Sequence, residues 1–356
     1  MKEGCMVTFS LCMIVKNEAA VLDRCLSSLA DLMDEVVIVD TGSTDDTLAI
    51  ARKYTDEGHI YHFDWVDDFS AARNYAFSLC TGDYIYTADA DEYLEQKDHD
   101  ALKNLKSVLM PEIEVVQMHY YEPKISSVLN TISEYRPKLF KRLRTFTWID
   151  PIHERVRTEP LVFDSDITVT HMPQQLHVGR DLEVFEKAYE KEGKLSHQLY
   201  GMYLRELYRS GDLDQLTRGS RIIKEILSRE QVSDALFLDM YTVLARQARK
   251  AGNLAAFLTY AARLLPGEPA SEICYEMGEY LYCEGRFDES AYWYESALGQ
   301  QPILDIHCSG DLSLRGLALC YGQLSEAADG EESDLYRQKA SAYEKAADEW
   351  KMPEEE

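Results

Sequence analysis

Tyr84-Ile85-Tyr86-Thr87-Ala88, followed at once by Asp89-Ala90-Asp91-Glu92, decides how the rest of this chain is read. A β-branched and aromatic run favours an extended, buried strand. Carboxylates placed just past its end stand where open α/β sheets bind ligands, outside the carboxyl ends of the strands. Crowded carboxylates at neutral pH need a partner, and a hard divalent cation is the usual one. Such a cation can in turn hold a diphosphate. The stretch points to a metal-dependent enzyme acting on a phosphorylated donor.

Upstream of it, strand and helix patterns alternate. Val7 to Val15 reads as a buried strand, and Ala19 to Leu32 as a helix with Val21, Leu22, Cys25, Leu26 and Leu29 on one face. Glu35 to Val39 is a second strand. Asp40-Thr41-Gly42-Ser43-Thr44-Asp45 is turn chemistry leading into a helix that runs to about Tyr54, with Ser43 or Thr44 expected as N-cap and Asp45 and Asp46 in the first turn. His59 to Phe63 is a third strand, Phe69 to Cys80 a third helix, and Tyr84 to Ala88 the fourth strand. Four strands separated by helices imply a parallel sheet. Past Asp91 the pattern loosens: a helix over Asp98 to Leu109, a strand over Val115 to Tyr121, and shorter strands at Pro137 to Lys141 and Ile167 to His171. This part is expected to face an acceptor.

From about Leu195 the chain is helical and repetitive. Within Ala270 to Pro302, the residues Gly278, Gly285, Phe287, Tyr294, Ala297 and Pro302 fall at tetratricopeptide spacing, with Ser290 where a small residue is needed. Gly252-Asn253-Leu254 precedes Gly285-Arg286-Phe287 by close to one period, and Gly211-Asp212-Leu213 is a weaker predecessor. Tyr343 and Ala346 suggest a last helix after an acidic insertion, Glu326 to Asp334. Tandem helical hairpins bury a shared seam, so a short solenoid is expected. The division is drawn at residues 1–190 for the α/β domain and 195–356 for the helical one.

Composition narrows the functions further. A chain of 356 residues can bury two cores, and its formal charge of −26 argues against nucleic acid or an anionic membrane as principal partner. The eight cysteines show neither C-x-x-C pairing nor zinc spacing. The apolar start from Met6 to Val15 runs into Lys16-Asn17-Glu18 rather than a cleavage site, and the uncharged stretches are too short to span a bilayer. Reduced thiols, a cytoplasmic location and no integral membrane segment are expected.

Four segments now converge: Val15-Lys16-Asn17-Glu18 closing strand one, Val39 to Asp45 closing strand two, Ser70-Ala71-Ala72-Arg73-Asn74 opening helix three, and Asp89-Ala90-Asp91 closing strand four. Over about residues 7 to 94 this set resembles the inverting, family 2 nucleotide-sugar glycosyltransferases with the GT-A fold, an α/β Rossmann-like architecture. With tetratricopeptide-like helices attached, it resembles bacterial enzymes that glycosylate peptides, including S-glycosylation of bacteriocin precursors, and transferases of cell-surface oligosaccharide assembly. The resemblance implies a UDP-sugar donor, Mn²⁺ or Mg²⁺, and a peptide, protein or oligosaccharide acceptor, with the helical half gripping a peptide or forming a homodimer.

It also implies roles. Asp40 matches the carboxylate that holds the uracil or ribose, and Arg73 a basic residue near the nucleotide. Asp91 would bind the metal, with Asp89 and Ala90 nearer the ribose or sugar. Val15, Asn17 and Glu18 lie in the strand-one loop of the nucleotide pocket; Lys16 either helps neutralise a phosphate or sits in solvent. Inversion requires a base to remove the acceptor's proton. In Trp148-Ile149-Asp150-Pro151-Ile152-His153-Glu154 the related acidic pair has become His153-Glu154, so Glu154 is the expected base and Asp150 its rival. Many GT-A enzymes supply a late histidine to the metal, a role for His171 at the end of the alternating strand Asp166 to His171, with His177 as a weaker alternative. Tyr135 to Lys141 either lines a pocket or is a basic edge strand. Two other functions stay open: a phosphatase of the haloacid dehalogenase type with Asp89 as nucleophile, and a non-catalytic tetratricopeptide adaptor.

Overall fold

A computed structural model describes residues 7–110, 112–122, 133–143, 148–149, 155–156, 161–172, 178–229 and 231–352. Contacts divide the chain into two units, with the break between residues 177 and 178.

The first unit is organised by an eight-stranded sheet. Its strands are β1 Phe9–Val15, β2 Glu35–Asp40, β3 Ile60–His62, β4 Tyr84–Thr87, β5 Glu92–Tyr93, β6 Val115–Tyr121, β7 Ser133–Lys141 and, after the short hairpin β8 Trp148–Ile149 and β9 Arg155–Val156, β10 Val162–His171. The sheet order is β3-β2-β1-β4-β7-β6-β10-β5. β1 to β4 run parallel, while β7 is antiparallel to both β4 and β6, so β6 and β10 point the same way as β4. Among the described residues this unit has four α-helices: α1 Leu22–Leu29, α2 Thr47–Ala51, α3 Phe69–Leu79 and α4 Gln96–Val108.

The unbroken apolar run of β1 follows from burial on both faces. Leu11, Met13 and Val15 join Leu22, Leu26 and Leu102 in one core. Cys12 points the other way and joins Val37, Val39, Ala76 and Phe140. Two expectations are corrected. β7 lies between β4 and β6, so Tyr135 to Lys141 is interior, not an edge. The helix expected from Ser43 or Thr44 to Tyr54 is five residues long and starts at Thr47, because Ser43 and Thr44 bond to the strand-one loop instead of capping.

The second unit is helical: α5 Val178–Glu192, α6 His197–Ser210, α7 Leu213–Arg229, α8 Asp234–Lys250, α9 Leu254–Leu264, α10 Ser271–Cys283, α11 Phe287–Leu298, α12 Asp311–Ala327 and α13 Gly330–Glu349. The sequence reading carried the first unit to residue 190. α5 instead packs on α6, with Phe185 against Tyr203, which draws the break back to Val178. Adjacent helices pair as hairpins: α8 with α9, α10 with α11, α12 with α13. Gly252 (φ 68°) and Gly285 (φ 73°) make the left-handed turns inside two of them. The stretch read as an acidic insertion is the end of α12, the start of α13 and the turn joining them. Ser290 Oγ donates to the Gly278 carbonyl at 2.7 Å, which explains the small residue there.

Candidate active site at the carboxyl rim of the sheet

Register brings the sequence candidates to one rim. Val15 pairs with Asp40, Cys12 with Thr87, and Asp40 with His62, so the ends of β1, β2, β3 and β4 stand side by side. β6 and β10 end on the same rim, and β5 pairs antiparallel with the last residues of β10. The Asp89-Ala90-Asp91 turn therefore sits between the end of β4 and His171.

Two loops at this rim are laced together. Asp40 is buried (5% exposed), and its carboxylate accepts from the Gly42 amide at 3.1 Å and the Ser43 amide at 3.1 and 3.2 Å. Asn17 adopts φ 55°, a region Asn tolerates better than most residues. From there its amide donates to Ser43 Oγ (2.9 Å) and its Oδ1 accepts from the Thr44 amide (2.7 Å). The Glu18 amide donates to Thr47 Oγ1 at 2.7 Å, and the Ala19 amide to Asp45 at 3.1 Å. The Val15 carbonyl accepts from the Thr41 amide at 3.0 Å. Asn17 thus ties the two loops together through its side chain, and Val15 and Glu18 through their backbones. Lys16 is exposed.

α3 aims Arg73 at the same place. Its N-cap is Asp68, whose carboxylate accepts from the Ala71 amide at 3.1 Å and fixes the first turn. Arg73, itself buried, donates from Nη2 to Asp89 Oδ1 at 3.3 Å. Desolvation pushes the Asp89 pKa up, but Arg73, and after it Lys138 and His171, outweigh it and hold the carboxyl at about 2. Asp89 is a stable anion that keeps half its side chain in solvent. Ala90, between the two acidic residues, is buried.

Asp91 meets His171. Its Oδ2 lies 2.9 Å from His171 Nε2, and the imidazole Nδ1 lies 3.3 Å from Glu122 Oε1. The ring also stacks on Tyr120, with centroids 5.2 Å apart. Burial opposes the charged imidazolium, but bonds to Asp91 and Glu122 outweigh it and raise its pKa to about 10. The side chains of Asp91 and His171 each keep 20% of their surface exposed. Once the ring gives up the proton between them, a carboxylate oxygen and an imidazole nitrogen held this close form a donor pair that suits Mn²⁺. Among the described residues no group of three or more His, Cys, Asp or Glu makes a ready metal cage.

Beneath the turn lies an ion pair that sequence reasoning did not assign. Lys138 Nζ contacts both Glu92 oxygens, at 2.8 and 2.7 Å, with both residues buried. Glu92 Oε2 also accepts from the Asp89 amide at 3.2 Å. Burial of a charge demands such pairing. The available signal was a lysine beside Leu139-Phe140 in an apolar strand. Glu122, past the end of β6, carried no signal. Asp150, His153, Glu154 and His177 lie outside the described residues; of the tryptophan-containing loop, only the backbone pairings Trp148 with Val156 and Ile149 with Arg155 are described.

Residues 10–167 match the family described as Glycosyl transferase family 2. A TPR repeat-containing protein of Synechococcus elongatus is 32% identical over 291 residues, covering 73% of this chain and 66% of that protein. The glycosyltransferase SunS of Bacillus subtilis is 27% identical over 164 residues, 45% of this chain and 36% of the relative. An uncharacterized glycosyltransferase of Rickettsia felis is 34% identical over 125 residues, 33% of this chain and 43% of the relative. The chain thus spans between about a third and two thirds of these relatives' length. Among solved structures, glucosyl-3-phosphoglycerate synthase from Mycobacterium tuberculosis, in complex with Mg²⁺ and uridine-diphosphate, aligns at 16% identity and TM-score 0.37 over 54% of this chain and 81% of that one. Residues 10–167 thus form a glycosyl transferase family 2 domain of GT-A type, and a tetratricopeptide-like helical unit follows it. Asp89 closes the fourth strand of such a domain, where the aspartyl nucleophile of the phosphatase alternative would close the first. No helix of the described residues is long and apolar enough to cross a membrane.

Proposed function

We propose that this protein is an inverting glycosyltransferase that moves a hexose from a UDP-sugar to a peptide, protein or saccharide acceptor with Mn²⁺ or Mg²⁺ bound. The observation that carries the reading is the Asp91–His171 pair, 2.9 Å apart, on the same rim as Asp40 and Asp89. Asp91 and His171 would hold the ion, and a diphosphate would supply further oxygens. When bound, the ion neutralises charge that builds on the departing diphosphate.

The remaining work belongs to the chain. The Asp40 carboxylate, fixed by the Gly42 and Ser43 amides, accepts from polar hydrogens of the uracil or ribose. Its fixed orientation spares the cost of ordering it on binding. Arg73 keeps Asp89 ionised and adds positive charge near the nucleotide. Glu154, with Asp150 as rival, takes the proton of the acceptor nucleophile on the face opposite the leaving group. The helical unit is the proposed holder of a peptide acceptor or seat of a homodimer.

The test is hydrolysis of a panel of UDP- and GDP-sugars with and without Mn²⁺, by the wild type and Asp91→Asn. Metal-dependent hydrolysis of one UDP-sugar, lost in Asp91→Asn while that variant still folds, is the expected result. Undiminished turnover in Asp91→Asn removes the metal assignment. A non-catalytic adaptor would instead show no metal-dependent heat with UDP in calorimetry.

A further inference from the structure

We infer that Arg24, on α1, is a positioning residue that holds the two metal ligands together through their backbones; the inference rests on the transferase reading above. Its Nη2 donates to the carbonyl of Asp91 at 3.0 Å and to the carbonyl of Met172 at 2.9 Å. The first of these belongs to one ligand residue, the second to the neighbour of the other, His171. The Asp91 carbonyl also accepts from the Met172 amide at 3.1 Å, so the turn after β4 and the end of β10 are tied by one direct hydrogen bond and bridged by the two from Arg24. The guanidinium carbon lies 4.9 Å from the centre of the Tyr93 ring, a contact that restricts how the fork can turn.

Arg24 does not act from an isolated position. Cys25 Sγ donates to the Asp89 carbonyl at 3.4 Å, and Ser28 Oγ accepts from the Leu94 amide at 3.1 Å. Residues 24, 25 and 28 share one side of a helix, so α1 grips the acidic turn at Asp89, Asp91 and Leu94. Arg24 alone of the three reaches the second element as well. Its Nε is buried without a hydrogen-bond partner among the described residues. A buried, unbonded donor costs stability, so an arginine there is poorly explained by stability alone. It is well explained by the two carbonyls that its one terminal nitrogen, Nη2, bridges from the end of a planar guanidinium.

The consequence for function follows from where the ligands come from. Asp91 and His171 belong to different strand ends, so their separation depends on the register between those ends, which Arg24 bridges. Groups that orient metal ligands from behind affect affinity about 10–100-fold when removed. Arg24→Met should therefore raise the dissociation constant for Mn²⁺, read from the electron paramagnetic resonance of the free ion at saturating UDP, by about 10–100-fold. UDP binding without metal and the melting temperature serve as parallel readouts, and the first should not change. Arg24→Lys should recover part of the Mn²⁺ affinity. Lys53→Met, which removes an exposed pair with Asp23 on the same helix, should recover the wild-type value in full. Arg24→Met binding Mn²⁺ as tightly as the wild type overturns the role given to Arg24. Should that variant fail to fold, Arg24→Gln and Arg24→Lys carry the same measurement, and wild-type affinity in both overturns it equally. A wild type that takes up no Mn²⁺ with UDP overturns the transferase reading instead.

Discussion

The Asp91–His171 pair at the rim and the Glu276 cluster in the helical unit are made of like groups, an acid and its cations, and differ in what surrounds them. Glu276 is 0% exposed, and its carboxylate accepts from Arg246 Nη1 at 2.7 Å, from Arg249 Nε and from the Tyr208 hydroxyl at 3.1 Å. Burial opposes its charge, yet the two guanidiniums outweigh that and hold its pKa down. Asp91 and His171 sit at strand ends and keep part of their surface in water. A sealed and satisfied charge can only hold helices together. A charge left at a loop can trade its protein partner for a ligand. Accessibility, more than residue type, separates the structural cluster from the chemical one.

That contrast can be broken in several ways. The largest stability effect is expected at Glu276→Gln, which strands two buried arginines and should cost about 3–5 kcal/mol in denaturant unfolding of the helical unit. Asp91→Asn should cost less stability than that while abolishing metal-dependent turnover; a loss as large as at Glu276→Gln would place the rim pair in the structural class. Next comes packing without charge. A Cβ built on Gly316 lies 2.5 Å from Tyr294 Cζ, so Gly316→Ala should destabilise by about 1–3 kcal/mol, read from the shift in denaturation midpoint.

A pH profile sharpens the comparison further. Burial lowers the His171 pKa, but Asp91 and Glu122 outweigh it and raise it from 6.5 to about 10. A raised folded pKa means stabilisation fully present below about pH 6.5 that is lost as pH rises towards 10. Thermal melting of metal-free protein from pH 6 to 10 should show this decline, and His171→Gln should flatten it. The smallest effect belongs to the exposed pair of Arg286 with Glu289: Arg286→Ala should change unfolding by about 0.5 kcal/mol or less.

Legibility in the sequence tracked the range of the forces involved. β1, β2, β4, β6 and α3 were readable within a residue or two because local periodicity and buried apolar runs specify them. The helical hairpins were readable because their glycines and aromatic residues recur at a fixed period. Errors came where a side chain chose a distant partner over a local one. Ser43 and Thr44 look like helix caps in isolation, but Asn17 takes them, and α2 starts later. For Tyr135 to Lys141 the edge alternative fails because the strand order puts β7 between β4 and β6, where Glu92 neutralises the buried Lys138. Arg24 was invisible as anything but a polar residue on an amphipathic helix.

By itself the amino-acid order determined which segments become strands and helices, and that acidic residues follow the ends of particular strands. Local backbone preference and the burial of apolar faces act over a few residues, so they can be read from a string. Only the folded chain decided which charges meet: Asp91 with His171, Asp89 with Arg73, Glu92 with Lys138, and Arg24 with two carbonyls from separate strand ends. Those encounters depend on strand order and register, which couple residues far apart in sequence and leave no periodic trace along it.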